Sequence, residues 1–415
     1  MEEIARRPWN GFNVVTTFSG GGGSSLGYRM AGFKILWASE FVEEARKTYL
    51  ANASPGTILD SRDIRKVTPE DILGAIRMKP GEIDLLDGSP PCASFSTVGN
   101  RSKDWGKSKK YSSTKQRTDD LFFEFNRILN GLQPKAFVAE NVSGLVKGAA
   151  KGYFLEILAA LKSSGYRVQA KVLDAQWLGV PQTRQRVFFV GVRNDIGIDP
   201  EFPKPLTYQY TIADILPLLN VVHETSGQKS FCLGNVTKKP CLAIVSKSEF
   251  IVTERIVAVG ANDSFGKETW QSPKLPAKTI GASPNTGNGK VGSGDVLVEQ
   301  ADPADISRFA IGKEWDKLKP GEQSEKYFQL VRAHPDKPSG TITASGGSGS
   351  TAAIVHPTEK RKFYIEELKR IGGFPDDFIL TGSYAQQWER IGRSVPPIMM
   401  WHIASVVRDK ILRKI

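Results

Sequence analysis

The chain has 415 residues, of which 40% are hydrophobic, and 56 Lys and Arg against 44 Asp and Glu give it a formal net charge of +12. This length allows one large domain or two ordinary ones. The basic excess favours a polyanionic partner, because phosphate contacts release counterions, although a solvated basic surface is an equal alternative from charge alone. The three cysteines, Cys92, Cys232 and Cys241, lack paired spacing, which excludes a disulfide scaffold and a zinc knuckle. No apolar run approaches membrane-spanning length, so we expect a cytoplasmic protein without membrane or metal sites.

Short apolar runs typical of strands alternate with helical patterns from Phe12 to about Asn194. This alternation predicts an α/β fold with a Rossmann-like, mostly parallel sheet and helices on both faces. Ligands of such sheets bind at the carboxyl ends of the strands. The strand candidates are FNVVTTF, FKILWAS, EIDLLDG, KAFVAENV, RVQAKVLDA and RVFFVGVR, and the helix candidates between them include VEEARKTYLAN, DLFFEFNRILNGL and GYFLEILAALKSSG.

The composition changes after Pro200, where Gly, Ser, Thr, Lys and Asn become frequent and no helical period lasts. A disordered linker is the alternative interpretation, but scattered apolar runs such as CLAIVS argue for a folded region. Helical pattern returns near the C-terminus. We therefore predict a catalytic and cofactor-binding domain over residues 1–200, a smaller loop-rich β-containing domain over 201–357, and a helical segment over 358–415 that packs back onto the first domain.

A glycine run, TTFSGGGGSSLGYRMAGF, lies directly between a predicted strand and a predicted helix. Glycines let the backbone approach a ligand closely, and the helix N-terminus favours its polar end. Such a turn fits NAD, FAD or S-adenosylmethionine. Glu40 lies about 20 residues further on, where a carboxylate would hold ribose hydroxyls, and Asp63 could accept from the exocyclic amine of adenine. Taken singly, each acid is equally a surface residue or a helix cap.

The stretch DLLDGSPPCASFS places Cys92 after two prolines at the end of a predicted strand. A free cysteine is more often an inert core residue, but this position is no core environment. A thiolate that adds to carbon 6 of cytosine makes carbon 5 nucleophilic enough to attack a sulfonium methyl group. The same residue can leave again afterwards, so Cys92 is a candidate nucleophile.

Addition to the ring needs charge relief, which three further residues could provide. Glu140, in VAENV, ends the next predicted strand and could share a proton with ring N3 if its pKa is raised. Arg184 and Arg186, in QTRQR, alternate along a strand and should point the same way. Their guanidinium groups could hold the cytosine carbonyl and the Glu140 carboxylate, and a structural salt-bridge ladder is the alternative.

Taken together, these motifs resemble the DNA (cytosine-5)-methyltransferase family of bacteria and phages. The resemblance rests on FSGGGG, PPCASFS, AENV, QTRQR and a late IGRSVPP, and it covers about residues 12–200 and 338–407. It implies S-adenosylmethionine as cofactor, duplex DNA as partner, base flipping, and a target-recognition domain in the divergent region 200–337. It also implies that Cys92 is the nucleophile, Glu140 the partner of N3, and Arg184 and Arg186 the supports of the cytosine pocket.

The resemblance assigns further residues to the cofactor and to DNA. Phe18 would stack on adenine, Glu40 would bind ribose, and Asp63 with Ile64 would bind adenine in a pocket also lined by Leu121. The basic loop from Gly99 to Arg117 would close over DNA and contact its phosphates. The remaining cofactor candidates are Ser19, Gly20, Gly22, Gly23, Arg393, Ser394 and Val395, and the phosphate candidates are Arg101, Lys103, Lys107, Lys109 and Lys110.

Two positions depart from the family pattern. Ala93 stands where the family usually has Gln, and Arg393 where it usually has Asn in the last motif. A shortened side chain beside an added cation suggests a pocket for a larger, anionic group. Carboxy-S-adenosylmethionine is therefore an alternative donor, with 5-carboxymethylcytosine as product. Sequence drift, with Arg393 holding the ordinary methionine carboxylate, is the other interpretation.

Other function classes fit less well. Amino-methylating DNA enzymes share the fold but place Asp or Asn before the paired prolines, where this chain has Ser89. An inactive DNA-binding module would not need the set of Cys92, Glu140, Arg184 and Arg186. An RNA cytosine-5 methyltransferase remains open, although the large 200–337 region favours duplex DNA. We expect a monomer, which could belong to a restriction–modification system with a cognate endonuclease.

Overall fold

The computed structural model describes residues 1–91, 120–216 and 302–415, together with the backbone of four short strands at 109–111, 114–116, 256–259 and 296–299. The chain divides into two compact units. The larger unit comprises residues 1–246 and 306–415, and the smaller comprises residues 247–305. The larger unit contains the sheet and the site described below.

The centre of the larger unit is a seven-stranded sheet. Its strands are β1 (Asn13–Thr17), β2 (Lys34–Ser39), β3 (Ile58–Asp60), β4 (Leu85–Gly88), β7 (Ala136–Val142), β8 (Tyr166–Asp174) and β9 (Gln185–Arg193). They lie in the order β3-β2-β1-β4-β7-β9-β8. Parallel pairs join β1 to β2, β2 to β3, β1 to β4 and β4 to β7, whereas β9 is antiparallel to both β7 and β8. The α/β class with a mostly parallel sheet is thus confirmed.

The last two strands depart from the strand–helix alternation expected from the sequence. β8 and β9 form an antiparallel pair, in which Tyr166 lies opposite Arg193 and Asp174 opposite Gln185. The connection between them, residues 175–184, contains a 3-10 turn, Ala175–Trp177, rather than a helix. A parallel crossover needs a dozen or more residues, so this connection can join antiparallel strands but not parallel ones.

The burial of the strands follows from the layers that cover the sheet. β4 is buried throughout, and β7 is buried except at its last residue, as expected for strands covered on both faces. Successive residues enter opposite cores: Val14 and Phe188 pack in one buried cluster, and Val15 and Phe189 in the other. The edge strand β8 alternates instead between buried and more exposed residues near its start, so it faces solvent on one side.

Helices surround the sheet and supply the other half of each core. The helices are α1 (Glu2–Ala5), α2 (Gly23–Met30), α3 (Glu43–Asn52), α4 (Pro69–Ile76), α5 (Leu121–Leu132), α6 (Lys151–Ser163), α7 (Ile212–Ile215), α8 (Ala310–Trp315), α9 (Ile365–Ile371), α10 (Tyr384–Arg393) and α11 (Pro397–Val406). One close contact joins α2 to α11, where a Cβ added at Gly27 would lie 2.6 Å from Met400 Cβ. The C-terminal helix α11 therefore lies against the helix that follows the glycine run.

The segment after residue 305 belongs to the larger unit and contacts the loop before β9. Thr183 N donates to Ser339 O at 2.8 Å, and Ile342 N donates to Gln182 Oε1 at 3.3 Å. This segment also contains β12 (Val331–Arg332) and β13 (Ile354–Val355), which pair in parallel. The assignment of residues 201–357 to target recognition, like the two predicted domain boundaries and the monomeric state, stays a prediction.

The remaining described strands form two antiparallel hairpins. β5 (Lys109–Tyr111) pairs with β6 (Thr114–Gln116) within the predicted DNA-closing loop. In the smaller unit, β10 (Ile256–Val259) pairs with β11 (Val296–Glu299). Across the described residues, no helix is both long and apolar enough to cross a membrane.

Candidate active site

The glycine loop joins β1 to α2 and bends sharply above the carboxyl end of the sheet. Gly20 and Gly22 have φ angles of 56° and 94°, in the left-handed region that glycine adopts without strain. Phe18 also has a positive φ of 54°, which is uncommon for a bulky residue and typical of ligand-binding turns. The Thr16 and Ser19 hydroxyl groups lie 2.7 Å apart beneath the turn. The loop therefore has a fixed, inward-curved backbone.

Glu40 ties this loop to the end of β2. Its Oε2 accepts from Gly20 N at 2.8 Å, and its Oε1 accepts from Val42 N at 2.6 Å. Burial raises the pKa of Glu40, while the two backbone bonds and the nearby Arg390 charge oppose that rise. Each carboxylate oxygen still has a lone pair available after these bonds. Glu40 is therefore oriented by the loop and can accept further hydrogen bonds from a ligand's hydroxyl groups.

The predicted adenine contacts lie in one buried cluster. Ile64 and Leu121 are buried members of it, and the half-buried Phe18 packs against it. Asp63 accepts from Arg65 N at 3.0 Å and forms an ion pair with the Arg65 guanidinium at 3.1 Å. Arg65 also forms an ion pair at 2.7 Å with Asp120, the residue before Leu121. The structure thus brings these candidates together and adds Arg65, which the sequence analysis missed.

The late motif IGRSVPP lies on the glycine loop. A Cβ added at Gly23 would clash with Val395 O and would lie 3.1 Å from Ser394 Cβ. Packed interiors leave no room for such an overlap, so a larger residue at position 23 would displace the backbone. Ser394 is held in place because its hydroxyl group donates to Arg390 O at 2.6 Å. The first and last motifs of the sequence therefore meet at the N-terminus of α2.

The Arg393 side chain forms an ion pair within its own helix. Its Nε forms an ion pair with Glu389 Oε1 at 2.7 Å, one turn earlier on α10. Burial raises the pKa of Glu389, but the bonds from Arg393 and Arg390 outweigh that effect and lower it. Glu389 Oε2 also pairs with Arg390 Nη2 at 2.8 Å, so the two arginines share one carboxylate. Ala93, the other departure from the family pattern, lies outside the described residues.

A buried acid–base pair joins Glu140, near the carboxyl end of β7, to Arg186, at the start of the antiparallel β9. Arg186 Nε and Glu140 Oε1 are 3.0 Å apart, with side chains 15% and 11% exposed. Burial raises the pKa of Glu140, whereas Arg186, Arg184 and a hydrogen bond from the Ser89 hydroxyl group oppose that rise. A carboxyl group with a raised pKa can carry and release a proton near neutral pH. Ser89 is a further residue that the sequence analysis did not assign to the site.

Arg184 lies beside this pair but has different partners. Its Nη1 donates to Ile342 O at 3.3 Å, and its Nη2 donates to Gly392 O at 2.9 Å. Burial and the neighbouring Arg186 charge lower the pKa of Arg184, while Glu140 raises it. The sequence analysis predicted that the two guanidinium groups hold the cytosine carbonyl and the Glu140 carboxylate. In the structure, Arg186 holds the Glu140 carboxylate and Arg184 holds backbone carbonyl groups.

The backbone leading into Cys92 is also fixed. Asn141, next to Glu140 on β7, donates from Nδ2 to Pro90 O at 3.1 Å and accepts from Val142 N at 2.8 Å. The paired prolines are thus tied to the strand that carries Glu140. Cys92 itself lies outside the described residues, as do Arg101, Lys103 and Lys107, and Lys109 and Lys110 are described only as backbone of β5.

A second buried carboxyl group lies on β4, the strand that pairs with the Glu140 strand β7. Asp87 on β4 is 1% exposed and accepts from the Tyr28 hydroxyl group at 3.0 Å. Burial and the Glu140 charge raise the pKa of Asp87 to about 8, against the effect of the Tyr28 bond. Asp87 is the second acid of the sequence DLLDG. Its position within a hydrophobic strand was the signal that could have identified it as a buried carboxyl group.

These features define an α/β enzyme with a nucleoside-type cofactor loop at one strand end and a buried carboxylate–guanidinium pair beside it. A family model described as C-5 cytosine-specific DNA methylase matches residues 12–408. The chain belongs to this family, as the resemblance of its motifs indicated. It is therefore a cytosine-5 DNA methyltransferase by family, with S-adenosylmethionine as the family's cofactor and DNA as its substrate.

Curated relatives agree along the whole chain. The Type II methyltransferase M.NgoPII of Neisseria gonorrhoeae is 27% identical over 414 residues, covering 100% of both chains. The Type II methyltransferase M1.HphI of Haemophilus parahaemolyticus is 28% identical and covers 95% of this chain and 86% of its own. A crystal structure of a proposed DNA modification methyltransferase from an E. coli prophage has a TM-score of 0.62 at 22% identity, covering 96% and 99%. That last likeness shows the fold.

Proposed function

We propose that this protein flips a cytosine out of a specific site in duplex DNA and methylates its carbon 5 through a covalent intermediate on Cys92. The buried Glu140–Arg186 pair carries this proposal. The pair lies beside Ser89. Ser89 follows β4, and the chain continues from it through Pro90 and Pro91 to Cys92. An acid with a raised pKa, close to the strand end from which the chain leads to Cys92, supports the proposed addition to a cytosine ring.

The cofactor loop fits S-adenosylmethionine. Glu40 presents an oriented carboxylate for ribose hydroxyls, and Phe18, Ile64 and Leu121 offer apolar surface for adenine. When bound, S-adenosylmethionine supplies an electrophilic methyl group on a sulfonium centre. Asp63 keeps acceptor capacity for an exocyclic amine after its bonds to Arg65, because a carboxylate has about four lone-pair sites.

The residues of the chain perform the remaining chemistry. The Cys92 thiolate forms a bond to carbon 6, and Glu140 gives a proton to ring N3, so that the ring's electron pair moves to carbon 5. Arg186 keeps the Glu140 carboxylate oriented during this transfer. After methylation, the carbon-5 proton passes to solvent water, the electron pair of that bond expels the Cys92 thiolate, and N3 returns its proton to Glu140, which restores the aromatic ring. Extrusion of the base costs a few kcal/mol, which pocket contacts and closure of loop 99–117 would offset.

We favour methyl transfer over carboxymethyl transfer because the Arg393 side chain already forms an ion pair with Glu389. The carboxymethyl alternative needs Arg393 to offer its charge to the donor, but its guanidinium is paired with Glu389 at 2.7 Å. An RNA substrate has no observation in its favour among the described residues. The Type II relatives support membership of a restriction–modification system, with a cognate endonuclease as partner.

The proposed chemistry is tested with duplex DNA that contains 5-fluorocytosine. The fluorine cannot be lost as the proton is, so the wild type should remain covalently attached to the DNA in the presence of S-adenosylmethionine. Cys92→Ser should not be trapped, because its hydroxyl group stays protonated near neutral pH, but it should still bind DNA. Mass spectrometry of nucleosides from treated DNA should detect 5-methylcytosine. Trapping of the serine variant at the wild-type rate would refute the covalent mechanism.

A further inference from the structure

Arg184 connects three parts of the larger unit. It is 2% exposed, and its own backbone N donates to Asp174 Oδ1 at 3.1 Å at the end of β8. Its side chain reaches the carbonyl groups of Ile342 and Gly392, which are 158 and 208 residues away in sequence. The buried Nε forms no hydrogen bond with any residue that the structure describes. A planar guanidinium with two directed bonds sets the spacing of both carbonyl groups.

One of these carbonyl groups belongs to the segment that touches the glycine loop. Gly392 is followed directly by Arg393, Ser394 and Val395, and Val395 O limits the space at Gly23. Gly392 is itself closely packed against the 342–344 segment, because a Cβ there would lie 2.8 Å from Ala344 Cα. The end of α10 is therefore confined between the 342–344 segment and the N-terminus of α2. Arg184 bonds to this confined end and to the 342–344 segment beside it.

Arg184 and Arg186 have different partners. Arg186 contacts the Glu140 carboxylate, whereas the two Arg184 bonds are directed to backbone at the cofactor side. A displacement of Gly392 would move Ser394 and Val395 against Gly23, since the backbone between them is short. A change in the position of Arg184 should therefore affect the glycine loop before it affects the Glu140–Arg186 pair.

We propose that Arg184 is a positioning residue for the cofactor site, which acts by holding Gly392, and with it Ser394 and Val395, against the glycine loop. This inference rests on the proposed function, because it takes the glycine loop as the S-adenosylmethionine site. It differs from the role of a cytosine-pocket support that the motif resemblance implies. Arg184 Nε, the side-chain nitrogen that forms no hydrogen bond with the described residues, would serve that other role if it reached the base.

The test compares Arg184→Lys with Arg186→Lys. Lysine keeps the positive charge at position 184 but cannot span both carbonyl groups. The Kd for S-adenosylmethionine, measured by calorimetry without DNA, should rise about tenfold or more in Arg184→Lys, as expected for loss of charge-assisted bonds. Trapping on 5-fluorocytosine DNA at saturating cofactor should remain near the wild-type rate. Arg186→Lys should show the reverse, with an unchanged Kd and impaired trapping.

Two further variants separate positioning from general destabilisation. Gly392→Ala leaves Arg184 intact but forces the confined segment away from Ala344, so it should also raise the cofactor Kd while trapping persists. Tyr384→Phe is the matched control. It removes the bond from the Tyr384 hydroxyl group to Phe363 O at 2.7 Å, at the start of the same helix, and its acceptor is outside the 342–344 segment. It should lower Tm and leave the Kd unchanged.

A wild-type cofactor Kd in Arg184→Lys, or impaired trapping at saturating cofactor, would overturn the proposal. A Kd that rises in Tyr384→Phe as much as in Arg184→Lys would also overturn it and show a merely structural residue. Failure of the proposed function has a different signature. In that case the wild type itself would bind no S-adenosylmethionine, or would bind it and trap no 5-fluorocytosine DNA.

Discussion

Glu140 Oε1 and Arg186 Nε lie 3.0 Å apart in a buried ion pair at the carboxyl end of the sheet. The Arg186 charge holds down a Glu140 pKa that burial raises. If Glu140 must be protonated to assist N3, activity falls as the pH rises through its pKa. Arg186→Gln should move this alkaline limb of kcat to higher pH, because it removes a charge that lowers the Glu140 pKa. Single-turnover rates across pH measure the limb, and a limb that stays fixed or moves to lower pH contradicts the assignment.

Glu140→Gln is the complementary change. It keeps the shape of the side chain but removes its transferable proton, so single-turnover methylation should fall by about 100-fold to 10,000-fold. Cofactor binding should persist, since Glu40 and the glycine loop are unchanged. A Glu140→Gln rate within a few-fold of wild type would show that N3 needs no acid from this residue.

Gly23→Ala should weaken cofactor binding. The added Cβ would clash with Val395 O, so either the glycine loop or the Ser394–Val395 segment must shift. The stabilisation of Tm by S-adenosylmethionine reports the weaker binding. Gly74→Ala is the control, because a Cβ there meets nothing within 4 Å and alanine favours the helix. It should retain the full ligand-dependent shift, and an equal shift in Gly23→Ala would contradict the packing of Val395 on the glycine loop.

Asp87 should make the stability of the protein depend on pH. Its pKa is raised to about 8 by burial and by Glu140, so the folded state keeps a proton that the unfolded chain has already released. The free energy of unfolding should therefore fall as the pH rises from about 4 to about 8, by up to about 1.4 kcal/mol per pH unit from this group. Urea unfolding of Asp87→Asn should show a flatter profile than wild type over that range.

Tyr28→Phe is a second test of the Asp87 pKa. The Tyr28 hydroxyl bond lowers the Asp87 pKa, so its removal should extend the decline in stability to higher pH. Glu140, on β7, is the charged group that raises the Asp87 pKa, and Tyr49, on α3, is a further titratable group that interacts with Asp87. Profiles of Asp87→Asn and wild type that run parallel would show that Asp87 is already ionised in the folded protein.

The sequence predicted the strands and motifs well because hydrophobic runs and strand-end residues are local signals. It could not predict the partners of Arg184, whose carbonyl acceptors come from segments 158 and 208 residues away. It predicted α10 only as part of the helical segment 358–415 and without separate bounds, because YAQQWERIGR is mostly polar, although α10 buries Trp388. The reversed direction of β9 escaped prediction because periodicity indicates a strand but not its orientation.

The lysines of loop 99–117 should contribute to DNA affinity without reading sequence. Replacement of Lys103, Lys107, Lys109, Lys110 and Lys115 by Ala should weaken binding to all duplexes alike. The slope of log K against log salt should become shallower by about 0.9 for each phosphate that the variant no longer neutralises. Exchange of residues 200–337 with those of a relative should instead change the modified site. A loop variant with an altered sequence preference and an unchanged salt slope would contradict this division.

Arg393 should have little influence on the choice of donor. Its ion pair with Glu389 spans one helical turn and is partly exposed, so Arg393→Asn should cost less than about 1 kcal/mol of stability. If Arg393 is committed to Glu389, the wild type with carboxy-S-adenosylmethionine as sole donor should give no 5-carboxymethylcytosine. Nucleoside mass spectrometry decides the point, and a carboxymethyl product that disappears in Arg393→Asn would restore the anionic-donor hypothesis.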